Sequence, residues 1–499
     1  MSGREDTTHV LILDEVGTPS ISNAVSYSSF LSLSDNVELL VITSKGALSQ
    51  GDKDKCLAYE EIATPTTNGL LEVLALRLHD KYRIDKIYTK QEDLILRASL
   101  LRDTLGIKSG LSHSSALLYR DKELMKRHIA ASGFPVPPYA RIYSPASILS
   151  FLRDNPFPII IKPTLGSASA GVTVVRSQTE LEAYLEKEFY TRIDDGGKCM
   201  DYSGDMIVEG FVNGNMFHVN GHAHDGHLED VWPFSYVKTN LGFTTGQAYG
   251  NVLIPQGDPM WKKLIDATER VLAALPAVDD LVFHLELFNV VNDGKPDQLV
   301  LCEIAARRPG GSIGMLINAS EGGAISSSSP RAATTTIGVS PANPLTLFSE
   351  MEFRLSLGLA LRQNRSHSSL IERYKNFTIG DLLIPRKVGQ LQSIPEATSC
   401  PLANTHYFPI AKVGTTYTGF HMTTMNTAAR FVVLLEDGSV AKMEEALANA
   451  QAWFENAVVY EAPSLPVLKP SHIAKPESQV QASLLPSSPR LWTDRALAQ

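Results

Sequence analysis

The sequence is poor in cysteine and carries no net positive charge. Its 499 residues include four cysteines without a CxxC pair, namely Cys56, Cys199, Cys302 and Cys400. This usage argues against a disulfide scaffold or a zinc cluster and favours a reducing, cytoplasmic compartment. Lysine and arginine number 45 against 54 acidic residues, which gives a net charge of −9. We therefore expect no global basic field and no nucleic acid partner.

Long apolar runs are also absent. No stretch of 18 apolar residues occurs, so a membrane span is not expected. The first ten residues, MSGREDTTHV, do not have the apolar core of a signal peptide. Hydrophobic residues make up 43% and charged residues 20% of the chain, which is ordinary for a soluble globular protein. The length predicts two or three domains.

The residues that are present predict an α/β domain over 1–118. HVLILDEV and VELLVITSK are typical of buried parallel strands, and NGLLEVLALRLHDKY has helical spacing. The pattern does not decide whether this domain only supports the rest of the chain or also contributes to substrate binding.

Two later segments have compositions that do not suit a core. Residues 321–345 are rich in Ser, Thr, Ala and Pro, which predicts a low-complexity loop or a segment foreign to the fold. Residues 462–499 are rich in Pro and Ser and are predicted to be disordered. Residues 346–461 have α/β character and are expected to complete the main domain or a substrate region.

Two glutamates face each other on a predicted hairpin, FHLELFNVVNDGKPDQLVLCEIAARRPGG, residues 283–311. Asn-Asp-Gly-Lys-Pro is a strong turn signal between two strand-like runs. If the turn is symmetric about Gly294 and Lys295, Glu286 lies directly opposite Glu303, about 5 Å away. The residues expected on the two facing surfaces beside these glutamates are His284, Phe288, Leu301, Ala305 and Arg307.

Enclosed carboxylates at this spacing need a shared proton or a cation. Their neighbours are mostly apolar, which indicates enclosure rather than a solvated sheet face. Hard oxygen ligands favour Mg²⁺, with Mn²⁺ as a substitute, and waters and phosphate oxygens would complete the shell. Arg307 is expected on the same face, where it could pair with a phosphate or a developing oxyanion. Arg308 is expected on the opposite face.

A lysine ends a buried apolar strand in IIIKPTLGSASAGV. Burying Lys162 is costly unless an anion meets it. The small-residue loop that follows, 166–171, has backbone N–H groups that could close over phosphates. A Walker A loop is excluded because GxxxxGK[ST] is absent. Taken alone, this stretch is at least as typical of a flexible hairpin turn.

The order of these motifs resembles the ATP-grasp superfamily, and within it carboxylate–amine ligases such as the dipeptide and amino-acid ligases. The resemblance covers about 119–315 and runs from Asp121-Lys122 through IIKP with its loop, IVEGFVNG and FHLELF to EIAAR. It implies an ATP-grasp fold of α/β and α+β character, preceded by a Rossmann-like domain. ATP would lie between two subdomains of 119–320, with Mg²⁺ bridging its phosphates.

The resemblance also implies roles for single residues. The implied nucleotide contacts comprise two lysines, the loop over the phosphates and the adenine edge: Lys122, Lys162, Gly166, Ser167, Ser169, Gly171, Glu209, Phe211 and Val212. In this set Glu209 would recognise the adenine amino group. The implied metal ligands are Glu286 and Glu303, and the implied catalytic residues are Arg307, at the acyl phosphate, and Lys162.

Two positions depart from the family pattern. Met216 stands where a ribose-binding glutamate is expected, and Ala305 stands where an asparagine often ends the metal motif. The histidine-rich stretch HVNGHAHDGH is expected to be a hairpin that turns at Asp225-Gly226, not a metal site.

Together these features predict an ATP-dependent ligase that activates a carboxylate as an acyl phosphate and joins it to an amine. The expected partners are small-molecule substrates and, as in related ligases, a second copy of the chain. One alternative is phosphorylation of an enol or bicarbonate, although a biotin-carrier motif, Met-Lys-Met, is absent. Another is a nucleotide-binding protein without catalysis, which Met216 and Ala305 favour and the retention of Arg307 opposes.

Overall fold

The elements below come from a computed structural model of the chain. The residues it describes are 7–15, 24–167, 169–186, 191–192, 200–201, 205–238, 240–243, 246–292, 295–320, 348–361, 377–418, 426–436 and 438–461. The predictions made for 321–345 and 462–499 lie outside these residues, and so does Cys199. The three described cysteines are free.

A parallel sheet opens the chain, in the order β3-β2-β1-β4. Its strands are β1 (Thr8–Leu13), β2 (Val37–Ser44), β3 (Ala58–Ile62) and β4 (Lys86–Tyr88). The α-helices around it are α1 (Gln50–Lys53), α2 (Leu70–Tyr82), α3 (Ile95–Leu105) and α4 (His113–Leu117), with 3-10 turns at Ala24–Phe30, Leu33–Asp35 and Glu92–Leu94. The central strand residues are wholly buried, as expected for parallel strands covered on both faces. The predicted Rossmann-like α/β part is therefore confirmed.

A second, smaller sheet has the order β5-β10-β6-β7 and carries Lys162 and Glu209. Its elements, with the flanking helices, are α5 (Lys122–Ala131), β5 (Tyr139–Ile142), α6 (Pro145–Phe151), β6 (Ile159–Pro163), β7 (Thr173–Val175), α7 (Gln178–Leu185) and β10 (Met206–Gly210), and a separate pair is formed by β8 (Thr191–Arg192) and β9 (Met200–Asp201). Asp121 caps α5 by accepting hydrogen bonds from the N–H groups of Glu123 and Leu124. This cap starts the helix at Lys122.

The largest sheet has eight strands, in the order β15-β14-β11-β12-β13-β16-β20-β18. The strands are β11 (Asn215–His224), β12 (His227–Lys238), β13 (Tyr249–Leu253), β14 (Asp280–Asn292), β15 (Lys295–Ala305), β16 (Thr378–Pro385), β18 (Thr405–Pro409) and β20 (Thr427–Leu435). The helices of this region are α8 (Asn240–Phe243), α9 (Pro259–Ala274), α10 (Ile313–Ser320), α11 (Phe348–Ser356) and α12 (Val440–Ala457). A 3-10 turn at Ala397–Ser399 and a small sheet of β19 (Thr416–Tyr417), β17 (Gly389–Ser393) and β21 (Val459–Glu461) complete the described residues.

The large sheet buries apolar side chains on both faces. Leu285 and Ile304 pack with Leu264 of α9 and Met125 of α5 on one side. Helices α10 and α11 pack on the other side through Leu316, Phe348 and their neighbours. Because β16, β18 and β20 extend the same sheet, residues after 346 complete this region. Residues Met1–Glu461 group into one unit.

The hairpin of β14 and β15 has the predicted register only near the glutamates. Glu286 pairs with Glu303, and His284 pairs with Ala305. A β-bulge between Glu286 and Leu287 then shifts the ladder, so Leu287 pairs with Leu301. Leu301 consequently packs in the core with Leu287, and the prediction that it shares the face of Glu303 is wrong.

Helix α12 ends before its helical sequence pattern does. SVAKMEEALANAQAWFENAVVY (439–460) is helical in its pattern, but the helix ends at Ala457 and Val459–Glu461 form strand β21. Pairing with β17 provides the strand with partners. Among the described residues, no helix is long and apolar enough to cross a membrane.

Candidate active site

The two facing glutamates have different partners. The Glu303 carboxylate lies 3.0 Å from Lys122 Nζ. The Glu286 carboxylate accepts a hydrogen bond of 2.6 Å from the hydroxyl of Tyr236 on β12, and His284 Nε2 lies 3.5 Å from the same oxygen. Both side chains are largely enclosed, with 22% of Glu303 and 13% of Glu286 exposed. The hairpin therefore presents a pair of enclosed carboxylates, as the sequence predicts.

Nearby cations hold Glu303 in its charged form. Burial opposes ionisation, but Lys122 and Lys162 outweigh it and lower the pKa of Glu303 to about 2. Carboxylate oxygens are the donors that a hard divalent cation prefers.

A second buried carboxylate, Glu209, is shared by two lysines. Glu209 Oε2 lies 2.9 Å from Lys162 Nζ, and Glu209 Oε1 lies 3.3 Å from Lys126 Nζ. Helix α5 contributes Lys126, whose side chain is fully buried and whose Nζ also donates to the carbonyl of Cys302. Together the three side chains carry one net positive charge in a region with little access to water.

The pKa values of this cluster follow from burial and charge. Burial favours the neutral form of each group, yet Glu209 raises the pKa of Lys162 and the two lysines lower the pKa of Glu209. For Lys126, burial dominates and lowers the pKa. Lys162 has a hydrogen bond to Glu209 that raises its pKa, whereas the positive charge of Lys162 adds to the lowering at Lys126. Glu209 Oε1 is buried, and its 3.3 Å ion pair with Lys126 is not aligned as a hydrogen bond, so this oxygen can also accept a hydrogen bond from a bound ligand.

The loop between β6 and β7 is held against the start of α5. The N–H of Lys122 donates to the carbonyl of Thr164 at 3.1 Å, and its Nζ donates to the carbonyl of Gly166 at 2.5 Å. Gly171 has φ of +72°, and a Cβ there would lie 2.9 Å from Pro163 Cγ. Ser169 also has positive φ, at 60°. The small residues of 166–171 thus allow a tight turn beside Lys122, Lys162 and the carboxylates.

Arg307 lies beyond the end of β15 and meets the N-terminal part of the chain. Its Nε donates to Glu92 Oε2, and its Nη1 donates to the carbonyl of Arg308 at 2.8 Å. Arg308 points elsewhere, as predicted, and pairs with Glu352 at 3.5 Å. Arg307 is therefore the arginine placed near the carboxylate pair.

The predicted adenine edge follows β10. The Phe211 ring is 42% exposed, and its N–H is already used by the carbonyl of Pro158 at 3.2 Å. Only the carbonyl of Phe211 remains for a ligand, whereas the prediction did not distinguish the two groups. Met216, where a ribose contact was expected, is partly buried against Tyr236 and its neighbours.

A buried polar chain runs from the carboxylate pair along the sheet. His284 Nδ1 lies 2.7 Å from Asn220 Oδ1, and Asn220 Nδ2 lies 3.0 Å from His218 Nδ1. His218 Nε2 lies 3.1 Å from Asn251 Oδ1, and Asn251 donates to Asp381 at 2.8 Å. Burial lowers the pKa of His218, so it is neutral. This row of hydrogen-bonded side chains fixes the orientation of the His284 imidazole next to Glu286.

The turn of the histidine-rich hairpin lies where the sequence predicts it. Asp225 and Gly226 have φ values of 50° and 79° and form the turn between β11 and β12. His222 and His224 both approach Asp280, at 2.9 and 3.1 Å. Within the described part of the chain, no group of three or more His, Cys, Asp or Glu side chains is arranged to hold a metal. The carboxylate pair would therefore hold a metal only together with waters or ligand oxygens.

Residues that the sequence reasoning missed stand beside the predicted ones. Lys126 lies one helical turn after Lys122, and this spacing was the available signal. Tyr236 and Glu92 had no such signal because they reach the site from other elements. The arrangement brings together cations, the enclosed carboxylate pair and a small-residue loop. Such a set of groups suits the binding of a polyphosphate with a divalent cation.

These features define the class of protein. Residues 155–315 match the ATP-grasp domain family, and the fold and the order of the site elements agree with that match. The segment is therefore an ATP-grasp domain, and the chain has the ATP-grasp fold.

Particular relatives are carboxylate–amine ligases. The chain is 26% identical over 235 residues to the L-arginine-specific L-amino acid ligase of Bacillus subtilis, covering 47% of this chain and 54% of that protein. It is 24% identical over 189 residues to D-alanine–D-alanine ligase A of Bacillus cereus, covering 36% and 54%. The chain thus spans about half the length of the curated relatives it matches.

The structural comparison concerns the fold alone. The L-amino acid ligase from Bacillus licheniformis superimposes with a TM-score of 0.60 at 12% identity, covering 92% of this chain and 100% of that one. The shared fold thus extends beyond residues 155–315.

Proposed function

We propose that this protein is an ATP-dependent ligase that joins a carboxylate to an amine, with an amino acid as the amine donor. The observation that carries the proposal is the direct pairing of Glu286 with Glu303 beside Lys122. The carboxylate–amine ligases among its relatives support the substrate class.

The nucleotide would lie between the β6–β7 loop and the β14–β15 hairpin. Lys122 and Lys162 would contact its phosphates, and the N–H groups of Gly166, Ser167, Ser169 and Gly171 would cover them. Glu209 Oε1, which Lys126 approaches without an aligned hydrogen bond, would accept a hydrogen bond from the adenine amino group. The carbonyl of Phe211 and the backbone of Val212 would complete the adenine edge.

Glu286 and Glu303 would hold Mg²⁺, which neutralises charge on the phosphates when bound. Tyr236 and His284 orient Glu286, and Lys122 orients Glu303. Ala305 contributes only a methyl group, so waters and phosphate oxygens would supply the other ligands.

The reaction needs no nucleophilic side chain. A carboxylate oxygen of the substrate attacks the γ-phosphorus of ATP, and the bond to the β–γ bridging oxygen breaks, which gives an acyl phosphate and ADP. The amine nitrogen then attacks the acyl carbon, phosphate leaves with the bonding electrons, and the nitrogen loses a proton. Lys162 and Arg307 stabilise the transferring phosphoryl group and the leaving phosphate by charge and position.

A Glu303→Gln variant tests this function. We expect substrate-dependent ADP release from ATP and Mg²⁺, with pooled carboxylic and amino acids, to fall at least 100-fold because one metal ligand is lost. The melting temperature should remain near that of the wild type. Asp266, in an exposed pair with Lys262, provides an Asp266→Asn control with full activity expected. Unchanged ADP release in Glu303→Gln would contradict the site, and release with bicarbonate alone would favour a different acceptor.

A further inference from the structure

Glu92 lies outside the matched domain but contacts its catalytic arginine. It begins the 3-10 turn Glu92–Leu94, just after β4 and directly before α3. Its carboxylate is held between two guanidinium groups, with Oε1 paired to Arg120 and Oε2 to Arg307. Only 13% of the Glu92 side chain is exposed, and Arg120 and Arg307 are 4% and 17% exposed. Ion pairs this enclosed hold their geometry much better than surface pairs do.

The placement of Glu92 is rigid. The carboxyl ends of parallel strands form the edge of an α/β sheet where ligands and neighbouring domains meet. At this edge Gln91 donates to Asp14 Oδ1 at 2.7 Å, which ties the segment after β4 to the end of β1. Leu94, within the same turn, is fully buried. The Glu92 carboxylate therefore projects from a fixed support.

Through Arg120 the same carboxylate reaches the loop over the phosphates. Arg120 Nη2 donates to the carbonyl of Leu165 at 2.7 Å, next to Gly166, which accepts from Lys122. The same carboxylate also holds Arg307, the residue expected at the acyl phosphate. The Glu92 and Arg308 contacts use Nε and Nη1 of Arg307, and the other terminal nitrogen, Nη2, is in neither.

The Glu92 carboxylate offsets repulsion among the neighbouring cations. Arg120, Lys122, Lys162 and Arg307 lie in one region, and like charges there repel each other. Burial disfavours the Arg307 cation, but Glu92 more than compensates and raises the pKa of Arg307. Without the Glu92 carboxylate, Arg307 would be free to rotate away from the other cations.

We propose that Glu92 is a positioning residue that holds the Arg307 guanidinium, and through Arg120 the loop at Leu165, in the geometry needed for phosphoryl transfer. The inference rests on the function proposed above. It makes the N-terminal part of the chain a component of the transferring site and not only a support. Glu92 itself does not touch the reacting atoms.

The test compares Glu92→Gln with Glu72→Gln. Glu72 forms a similar two-point pair with Arg97, at 2.5 and 2.6 Å, in the same part of the chain but away from the site. Binding of ADP with Mg²⁺, and of ADP with Mg²⁺ and aluminium fluoride, is measured by calorimetry. The affinity of Glu92→Gln for ADP with Mg²⁺ should lie within twofold of the wild-type value. Its affinity for ADP with Mg²⁺ and aluminium fluoride should be at least tenfold lower than that of the wild type. Glu72→Gln should match the wild type with both.

Turnover provides the second readout. Glu92→Gln should lower kcat for substrate-dependent ADP release at least tenfold with KM for ATP within threefold, and Glu92→Asp, which keeps the charge, should recover part of kcat. Should Glu92→Gln not fold, a Glu92→Asp variant with wild-type kcat and affinities would overturn the proposal. Equal affinities and equal kcat in folded Glu92→Gln would overturn it directly. A wild-type chain that does not bind ADP would instead overturn the proposed function.

Discussion

At the scale of single residues, two lysines, Lys126 and Lys162, share the carboxylate of Glu209, and this sharing bears on which of them can contact a ligand. One carboxylate is shared by two buried lysines, and Lys126 lies farther from it than Lys162 does. An incoming phosphate or adenine base would relieve this imbalance. Lys126 is therefore a candidate for direct contact with the nucleotide.

A Lys126→Met variant tests this role. Losing one charge-assisted contact, worth about 1.5–3 kcal/mol, should weaken ADP binding by roughly tenfold or more. Stability should change little because Glu209 keeps Lys162. Lys263, in a half-exposed pair with Asp297, supplies a Lys263→Met control with wild-type affinity expected. Calorimetric titration with ADP and Mg²⁺ measures both, and equal affinity in Lys126→Met would remove Lys126 from the site.

The sequence could predict those residues whose burial or spacing was unusual in itself. Lys162 ended an apolar strand, and Glu286 and Glu303 stood at matched distances from a turn signal. Glu92 gave no such signal, because it lies 215 positions from Arg307 and meets it only after two sheets assemble. Long-range pairs of this kind are set by tertiary structure, which local spacing does not encode.

At the scale of elements, the turn between β6 and β7 and the bulge in β15 shape the site. The turn could be predicted from its composition, because small residues are needed where the backbone approaches a ligand. The bulge could not be predicted, since the apolar alternation in LVLCEIA fits a regular strand equally well. With Glu286 opposite Glu303 and Leu287 opposite Leu301, Cys302 is the additional residue.

Gly171→Ala tests the turn, with Gly133→Ala as its control. Both glycines have positive φ, at +72° and +82°, but only at Gly171 would a Cβ meet a side chain, Pro163. Each substitution should cost roughly 1 kcal/mol from backbone strain. Gly171→Ala should also shift the loop and weaken ADP binding, whereas Gly133→Ala should not. Urea unfolding and ADP titration measure the two effects, and equal affinities would contradict the role of the turn.

At the scale of the whole molecule, buried pairs join the N-terminal sheet to residues after 346. Asp35 accepts two hydrogen bonds of 2.8 Å from Arg354 of α11, across 319 positions. Tyr88 of β4 donates to Glu352 at 3.1 Å. Composition and periodicity predicted the α/β part and the region after 346 as separate pieces, but they could not show this docking.

An Asp35→Asn variant should destabilise the protein by about 1–3 kcal/mol at neutral pH, as expected for a buried charge-assisted pair. Hydrogen bonds from Arg354 lower the pKa of Asp35 below its usual value of 3.8. The carboxylate therefore stabilises the fold above pH 3.8, and the contribution is lost as the pH falls below that value. The difference in unfolding free energy between wild type and variant should narrow in acid. Urea titrations at neutral and acid pH check this, and a constant difference would contradict it.

The central claim is that a carboxylate is phosphorylated before the amine attacks. The most direct measurement uses pooled carboxylic acids and amino acids, all labelled with ¹⁸O in their carboxyl groups, together with ATP and Mg²⁺. It determines the label in the inorganic phosphate released. Attack through an acyl phosphate transfers one ¹⁸O atom from the carboxyl group to each phosphate, in step with product formation. Phosphate released without ¹⁸O would contradict the account.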